Sequence, residues 1–180
     1  HPALEHLMPL WEAKELAIVN GVGYPNPNRS HFRSIEIWET GSNSHEILDA
    51  GWLTRVFQQH PIPSTFIAEA VLLGGGDAGP VSGGGARTIA LHNPQRFLKQ
   101  SQQVPTIARP TTNLALAHVL KTQRDISRAA DVLYARLQKA PAVPNAYPNS
   151  KIARQLHTAA QLLAARIPVP VIKITHGSFD

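Results

Sequence analysis

The sequence predicts an α/β fold in which a mostly parallel sheet is flanked by helices. Short apolar runs, typical of buried strands, alternate with longer stretches whose apolar residues have helical spacing. Prolines and glycines separate these segments, and 43% of the 180 residues are hydrophobic, which is enough for a packed core. We therefore expect one domain over residues 1–180, with a proline-rich linker at 140–149 before the last helix and strand.

Six helices are predicted from amphipathic spacing and from residues suited to helix ends. Pro9 is expected to break or kink the first of them. Ser30, the segment Thr111-Thr112-Asn113 and Ser150 are suitable N-caps, and Gly41 is a suitable C-cap. The predicted helices span residues 1–15, 30–40, 51–59, 93–98, 114–139 and 150–166.

Four strands are predicted from short apolar runs at 16–19, 66–73, 88–91 and 171–175. The run at 16–19 is wholly apolar, as expected for a strand at the centre of a parallel sheet. Ligands of open α/β sheets usually bind at the carboxyl ends of the strands. The loops that follow these runs are therefore the first places to look for a site.

A glycine-rich loop at 74–85 follows the second predicted strand. A phosphate-binding loop is one interpretation, but neither G-x-x-x-x-G-K-[ST] nor a well-placed G-x-G-x-x-G is present. The pattern favours a flexible hairpin or a close approach of two backbones, with 88–91 as the returning strand.

The candidate catalytic residues lie where a constrained loop with two glycines and two prolines leads into the second helix. Ser30 places a hydroxyl at the helix start, and His31 is adjacent. Asn28, Arg29 and Arg33, the candidate substrate-binding residues, surround it with an amide and two guanidinium groups. A helix N-terminus has free N–H groups and a partial positive charge, which suit an anion or an activated nucleophile. The alternative is that Ser30 is an ordinary N-cap.

The last predicted strand is followed by a polar tip that ends at Asp180. If the strands at 16–19 and 171–175 are parallel neighbours, Asp180 and Ser30 lie at the same edge of the sheet. Asp180 is then a candidate metal ligand or base. The alternative, which spacing alone favours, is a solvated charge. The chain starts with His1 and stops soon after a strand, so we expect the domain to continue at both ends.

Composition excludes several classes of function. The chain has no cysteine, so disulfides, thiolate catalysis and thiolate metal sites are excluded. The formal charge is +5, but no run of five basic residues and no basic-aromatic pattern suggests nucleic acid as a partner. No apolar run reaches the ~18 residues of a membrane-spanning helix.

Several blocks of the sequence resemble the bacterial domain of unknown function 1501 family, and the likeness extends from one end of the chain to the other. The tail His176–Asp180, HGSFD, resembles the start of that family's Gly-x-Phe-Asp-Thr-His motif. The other blocks are HPAL at 1–4, NGVGYPNPNRSHF at 20–32, IWETG at 37–41, GWL at 51–53, AGP at 78–80 and SGGG at 82–85.

The resemblance implies an alkaline phosphatase/sulfatase-like fold, here a partial three-layer sandwich truncated at both ends. It implies hydrolysis of a small anionic phosphate or sulfate ester with a divalent metal, zinc or calcium, and export or a periplasmic location. By position, Ser30 becomes the nucleophile, and Asp180 a metal ligand. Asn28, Arg29 and His31 would orient the anion.

The family's motifs before His1 and after Asp180 are missing, and most of its expected metal ligands are missing with them. We therefore expect this chain to be the middle portion of the domain, inactive and without metal by itself, and prone to self-association. The alternative is a degenerate hydrolase fold that acts as a non-catalytic binding or secretion-associated module. A carbohydrate-binding role is a weaker third option, which the Trp and Asn content permits.

Overall fold

Three parallel strands form the centre of the computed structural model, which describes residues 2–75, 77–103, 111–143 and 146–177. The strands are β1 (Ala70–Leu73), β2 (Thr88–Leu91) and β3 (Val171–Ile174), in the order β2-β1-β3. Ala70 of β1 is in register with Thr88 on one side and with Val171 on the other. The expected α/β class with a parallel sheet is therefore confirmed for the described residues.

Six α-helices accompany the strands in the described residues. They are α1 (Met8–Glu12), α2 (His31–Thr40), α3 (Trp52–Gln59), α4 (Pro94–Ser101), α5 (Leu114–Leu137) and α6 (Lys151–Ala164), with 3-10 turns at Pro2–Leu7 and Gly79–Val81. The capping predictions are confirmed. The side chains of Ser30, Asn113 and Ser150 each accept a hydrogen bond from the backbone N–H three residues later. Gly41 ends α2 in the left-handed conformation, with φ 61°.

The two faces of the sheet are covered by different helices, because successive strand residues point to opposite sides. Val71 and Leu73 belong to the larger core, with residues of β2, β3, α5 and α6. Its centre includes Leu133 of α5 and Leu162 of α6, both fully buried. Ala70 and Leu72 face the other way and form a smaller core with Val81, against which α3 packs. Helices therefore cover both faces of the sheet.

The strand predicted at 16–19 is wrong. Those residues have no regular structure, and Ile18 and Val19 are 65% and 76% exposed. The central position expected for that strand belongs to β1, which is paired on both edges. The first helix is also split into a 3-10 turn and the short α1, both exposed. The break expected near Pro9 is present, with Pro9 in the first turn of α1.

The hairpin predicted around the glycine-rich loop is wrong as well, because β1 and β2 are parallel and the chain crosses between them. The close backbone approach is confirmed. A Cβ on Gly83, which has φ +65°, would overlap the carbonyl oxygen of Asp49. A Cβ on Gly51 would overlap that of Pro80, and the Gly51 N–H donates to the Ser82 carbonyl at 3.0 Å. These contacts fix the crossover against the start of α3.

The chain exposes more solvent-accessible surface than is typical of a folded monomer of its mass. A folded monomer of 19.6 kDa typically exposes roughly 8,600 Å², whereas this chain exposes 12991 Å². Large apolar side chains contribute, including Phe32 at 88% exposure. A groove at the N-terminal end is lined almost wholly by apolar residues, among them Leu7, Met8 and Trp11.

We predict that the chain self-associates, because apolar patches of this kind are usually covered in a stable assembly. Light scattering coupled to gel filtration should give a mass above 19.6 kDa at micromolar concentration. The double variant Trp11→Ser/Phe32→Ser should shift the mass towards the monomer, and Gln95→Ser serves as a polar control on α4. A monodisperse monomer of the unmodified chain would contradict the prediction.

Candidate functional site

Ser30 lies at the N-terminus of α2 with an exposed side chain. Its Oγ accepts a hydrogen bond from the Arg33 N–H at 3.5 Å, and its own N–H donates to Asn28 Oδ1 at 2.8 Å. The capping bond is long, so it holds the hydroxyl only weakly. The hydroxyl proton is not used in this bond, because Oγ acts there as the acceptor. Geometry therefore permits both the capping role and a chemical role.

The loop before Ser30 is held by hydrogen bonds around Tyr24. The Asn28 N–H donates to the Tyr24 hydroxyl at 3.0 Å, and Ser34 Oγ donates to the Asn28 carbonyl at 2.7 Å. The Tyr24 and Ser34 hydroxyls are 2.8 Å apart, and the Tyr24 ring meets Trp38 edge to face. These bonds tie the loop to the first two turns of α2. Asn28 therefore positions the Ser30 backbone with its side-chain oxygen.

The two arginines of the predicted site have different surroundings. Arg33 Nη1 pairs with Glu36 at 2.8 Å. Its Nη2 donates to the carbonyl of Glu46 and to that of Asn43, the latter at 3.3 Å. Arg33 therefore holds the loop after α2. Arg29, which directly precedes Ser30 in the chain, is exposed. His31, the first residue of α2, is exposed too.

The C-terminal tip at 176–180 is described only as far as Gly177. Asp180 lies outside the described residues, so its predicted place beside Ser30 remains a prediction. The strand that was expected to deliver Ser30 to the sheet does not form. The opposite end of α2 contacts the sheet instead, at Glu39. Ser30 and Glu39 are nine positions apart, or about 13 Å along the helix axis.

Glu39 belongs to a charged cluster that sequence reasoning missed. Lys173 of β3 extends its ammonium to within 3.8 Å of the Glu39 carboxylate and donates to the Asp77 carbonyl at 2.9 Å. The Asp77 carboxylate accepts a hydrogen bond from the Gly79 N–H. The cluster lies near the carboxyl ends of β1 and β3. Burial raises the pKa of the Glu39 carboxyl above its ordinary value, the Asp77 carboxylate adds to the rise, and Lys173 opposes it.

The raised pKa of Glu39 predicts how stability changes with pH. The folded protein binds a proton at Glu39 more readily than the unfolded chain does. The free energy of unfolding therefore falls as the pH rises from 4.5 through the raised pKa. In thermal melts at pH 4.5 to 7, the stability of Glu39→Gln should increase relative to that of the unmodified protein as the pH rises. This relative gain in the free energy of unfolding should stay below about 1 kcal/mol, since the carboxyl is only partly buried.

Asp77→Asn serves as a second variant for this prediction, because it removes the neighbouring charge and leaves Glu39 in place. Its pH profile should lie between those of the unmodified protein and Glu39→Gln. Superimposable profiles for the unmodified protein and Glu39→Gln would contradict the prediction.

A second group missed by sequence reasoning lies at the carboxyl ends of β1 and β2. His92 follows β2 directly, and a Cβ on Gly75 would lie 2.8 Å from its Nε2. Gln155 of α6 donates to the Thr175 carbonyl at 3.1 Å and accepts from the Thr175 N–H at 3.0 Å. These two bonds fix the first turns of α6 beside the end of β3. The sequence signal that could have found His92 is its place immediately after a predicted strand.

In the described part of the chain, no group of three or more His, Asp or Glu side chains could hold a metal ion. The residues present there do not fit the zinc or calcium that the resemblance implies. Within the same residues, no helix combines the length and hydropathy needed to cross a bilayer.

Comparisons with known proteins identify no relative of this chain. No family model matches it, and no similar curated protein or solved structure is found. The likeness to the domain of unknown function 1501 family therefore depends on the sequence blocks alone.

Proposed function

We propose that this chain is the middle portion of a hydrolase of phosphate or sulfate esters with an alkaline-phosphatase-like fold, inactive by itself. The observation that carries the proposal is the exposed Ser30 hydroxyl at the start of α2, with Arg29 and His31 beside it. The sequence blocks around Ser30 support it, and so does a parallel sheet with helices on both faces. Export or a periplasmic location is part of the same proposal.

Ser30 is the proposed nucleophile. The start of α2 favours a negatively charged group, because the helix dipole and the free N–H groups of its first turn point towards it. Those N–H groups belong to a ten-residue helix, α2, whose Arg33 N–H is already engaged by the Ser30 Oγ. An ester phosphate or sulfate placed there lies within reach of the Ser30 hydroxyl.

The proposed reaction uses two side chains and one water molecule. Ser30 Oγ forms a bond to phosphorus or sulfur while the bond to the ester oxygen breaks. The Ser30 proton passes to the His31 imidazole and then to the departing alcohol. Water afterwards releases the phosphate or sulfate and restores the serine hydroxyl. Such proton transfer by a positioned side chain contributes typically about 10²- to 10⁴-fold in rate.

Arg29 is the proposed anion clamp, since a guanidinium can hold two oxygens of one oxyanion. Asn28 and Arg33 are positioning residues in this proposal. Asn28 holds the Ser30 backbone, and Arg33 is committed to Glu36 and to the loop after α2. Arg33 was expected to bind substrate directly. Its contacts with Glu36 and with the loop after α2 make it less suitable than Arg29 for that role.

The implied zinc or calcium enters no step, because the described residues do not fit a metal. Asp180, outside those residues, stays the proposed ligand from this chain. A metal would supply charge neutralisation and a lower nucleophile pKa.

Hydrolysis of aryl phosphates and aryl sulfates by the complete gene product tests the proposal. We expect turnover that exceeds the uncatalysed rate and that the 180-residue chain alone does not show. No turnover of either ester class by the complete product would overturn it.

A degenerate hydrolase fold used for binding is the second candidate. It is favoured by the lack of a metal-binding group in the described residues. Metal analysis of the complete gene product separates the two candidates. The hydrolase proposal expects stoichiometric zinc or calcium, and the binding candidate expects neither metal and no turnover.

A further inference from the structure

Two cavities meet at His92, at the carboxyl ends of β1 and β2. One has a volume of about 180 Å³ and is lined by Lys151, Arg154 and Gln155 as well as His92. The other has a volume of about 340 Å³ and is lined by His92 and Arg96. Both volumes are well above the ~15 Å³ that one water molecule requires. The cavities therefore have room for a small ligand at the sheet edge where ligands of α/β folds usually bind.

The charges around these cavities all have the same sign. Arg96, Lys151 and Arg154 are on their walls together with the His92 imidazole, and neither set of lining residues contains Asp or Glu. The starts of α4 and α6 lie beside these cavities, at Asn93 and Lys151, and the free N–H groups and dipole of a helix start add to the positive potential there. The walls therefore offer an anion three cationic side chains and no competing carboxylate.

The backbone at this edge leaves space for these side chains. Gly74 and Gly75, directly after β1, have φ +86° and +76°. A Cβ on Gly75 would crowd the His92 imidazole, and one on Gly74 would overlap the Gln155 amide. Gln155 is buried and holds α6 to β3 through Thr175. The start of α6, with Lys151 and Arg154, is therefore fixed beside the cavity before any ligand binds.

We propose that this cavity pair binds the phosphate or sulfate group of a small ligand. Lys151 supplies a point charge, and Arg154 supplies the guanidinium nitrogens that are left after Nη1 donates to Asn149 at 2.8 Å. His92 and Arg96 bind the same group from the β2 side. The site is separate from Ser30 and does not depend on the proposed hydrolase function.

The test is a titration of the ¹⁵N-labelled chain with inorganic phosphate, and separately with phenyl phosphate, at constant ionic strength. We expect the amide signals of His92, Lys151 and Ile152 to shift with a saturable dependence on concentration. Inorganic phosphate binding as tightly as phenyl phosphate identifies a free oxyanion site. Tighter binding of phenyl phosphate identifies an ester site, and both results support the proposal.

Lys151→Gln/Arg154→Gln should weaken the binding at least about tenfold, because two charge-assisted contacts are lost. Arg124→Gln/Lys139→Gln is the matched control. It removes the same two charges from exposed positions on and just after α5, and should leave the binding unchanged. Arg154→Gln alone replaces the double variant if that variant does not fold. Equal affinity in the unmodified chain and in the Lys151/Arg154 variant, or no saturable shift at His92 and Lys151, would overturn the proposal.

Ser30→Asn keeps this inference distinct from the hydrolase proposal. The phosphate affinity at His92 and Lys151 should be unchanged in Ser30→Asn, whether or not Ser30 is a nucleophile. A loss of that affinity would show that the two places form one site, and would overturn the claim of a separate one.

Discussion

Replacing Ser30 by asparagine is expected to abolish ester hydrolysis by the complete gene product while leaving α2 in place. Asparagine caps a helix about as well as serine does, so the Arg33 N–H keeps its partner. The variant has no hydroxyl to attack phosphorus or sulfur. Removal of a catalytic nucleophile costs on the order of 10³-fold in rate or more. Steady-state rates with aryl phosphate and aryl sulfate measure the effect.

Two further variants at the same position separate capping from chemistry. Ser30→Thr keeps both the hydroxyl and the cap and should retain measurable turnover. Ser30→Ala loses both, so its rate should fall like that of the asparagine variant and its unfolding free energy should also fall by about 1 kcal/mol. Full activity in Ser30→Asn, with an unchanged circular dichroism spectrum, would exclude Ser30 as the nucleophile.

Replacing Leu133 by alanine is expected to produce a large loss of stability. Leu133 is fully buried on α5, in the core that contains Val71 and Leu73 of the central strand. Truncating a leucine in such a place removes apolar contacts and leaves a cavity, at a cost of about 2–5 kcal/mol. Domains are stable by only about 5–15 kcal/mol in total. Urea denaturation followed by circular dichroism measures the difference.

Leu114→Ala is the matched control on the same helix. Leu114 is 87% exposed, so its truncation should change stability by less than about 0.5 kcal/mol. Similar losses for the two leucines would show that α5 does not pack on the sheet as described.

The helices after residue 30 could be predicted from the sequence because their signals are local. A cap such as Ser30, Asn113 or Ser150 acts within one turn, and amphipathic spacing repeats within the helix itself. Strand pairing depends instead on residues far apart in the chain. The apolar run at 16–19 was therefore indistinguishable from a true strand, and the parallel direction of β2 relative to β1 could not be read from the loop between them.

The same difference between local and long-range signals applies to the candidate sites. Ser30 and its neighbours are contiguous, so their grouping at the start of α2 was predictable. The cluster of Glu39, Asp77 and Lys173 joins segments that are 38 and 96 positions apart, and depends on the place of β3 in the sheet. His92 and Lys151 are likewise distant in sequence. Such groupings need the strand order, which no local pattern contains.

The strand order also affects the synthesis of the protein. β1 lies between β2 and β3 in the sheet. The last residue of β3, Ile174, is synthesised about 100 residues after the end of β1. At a translation rate of ~5–20 residues per second, one edge of the central strand stays unpaired for roughly 5–20 s. During that time its unpaired backbone groups and apolar side chains are open to other nascent chains. Slow translation should therefore increase aggregation of the newly made protein, and chaperones that bind extended apolar segments should reduce it.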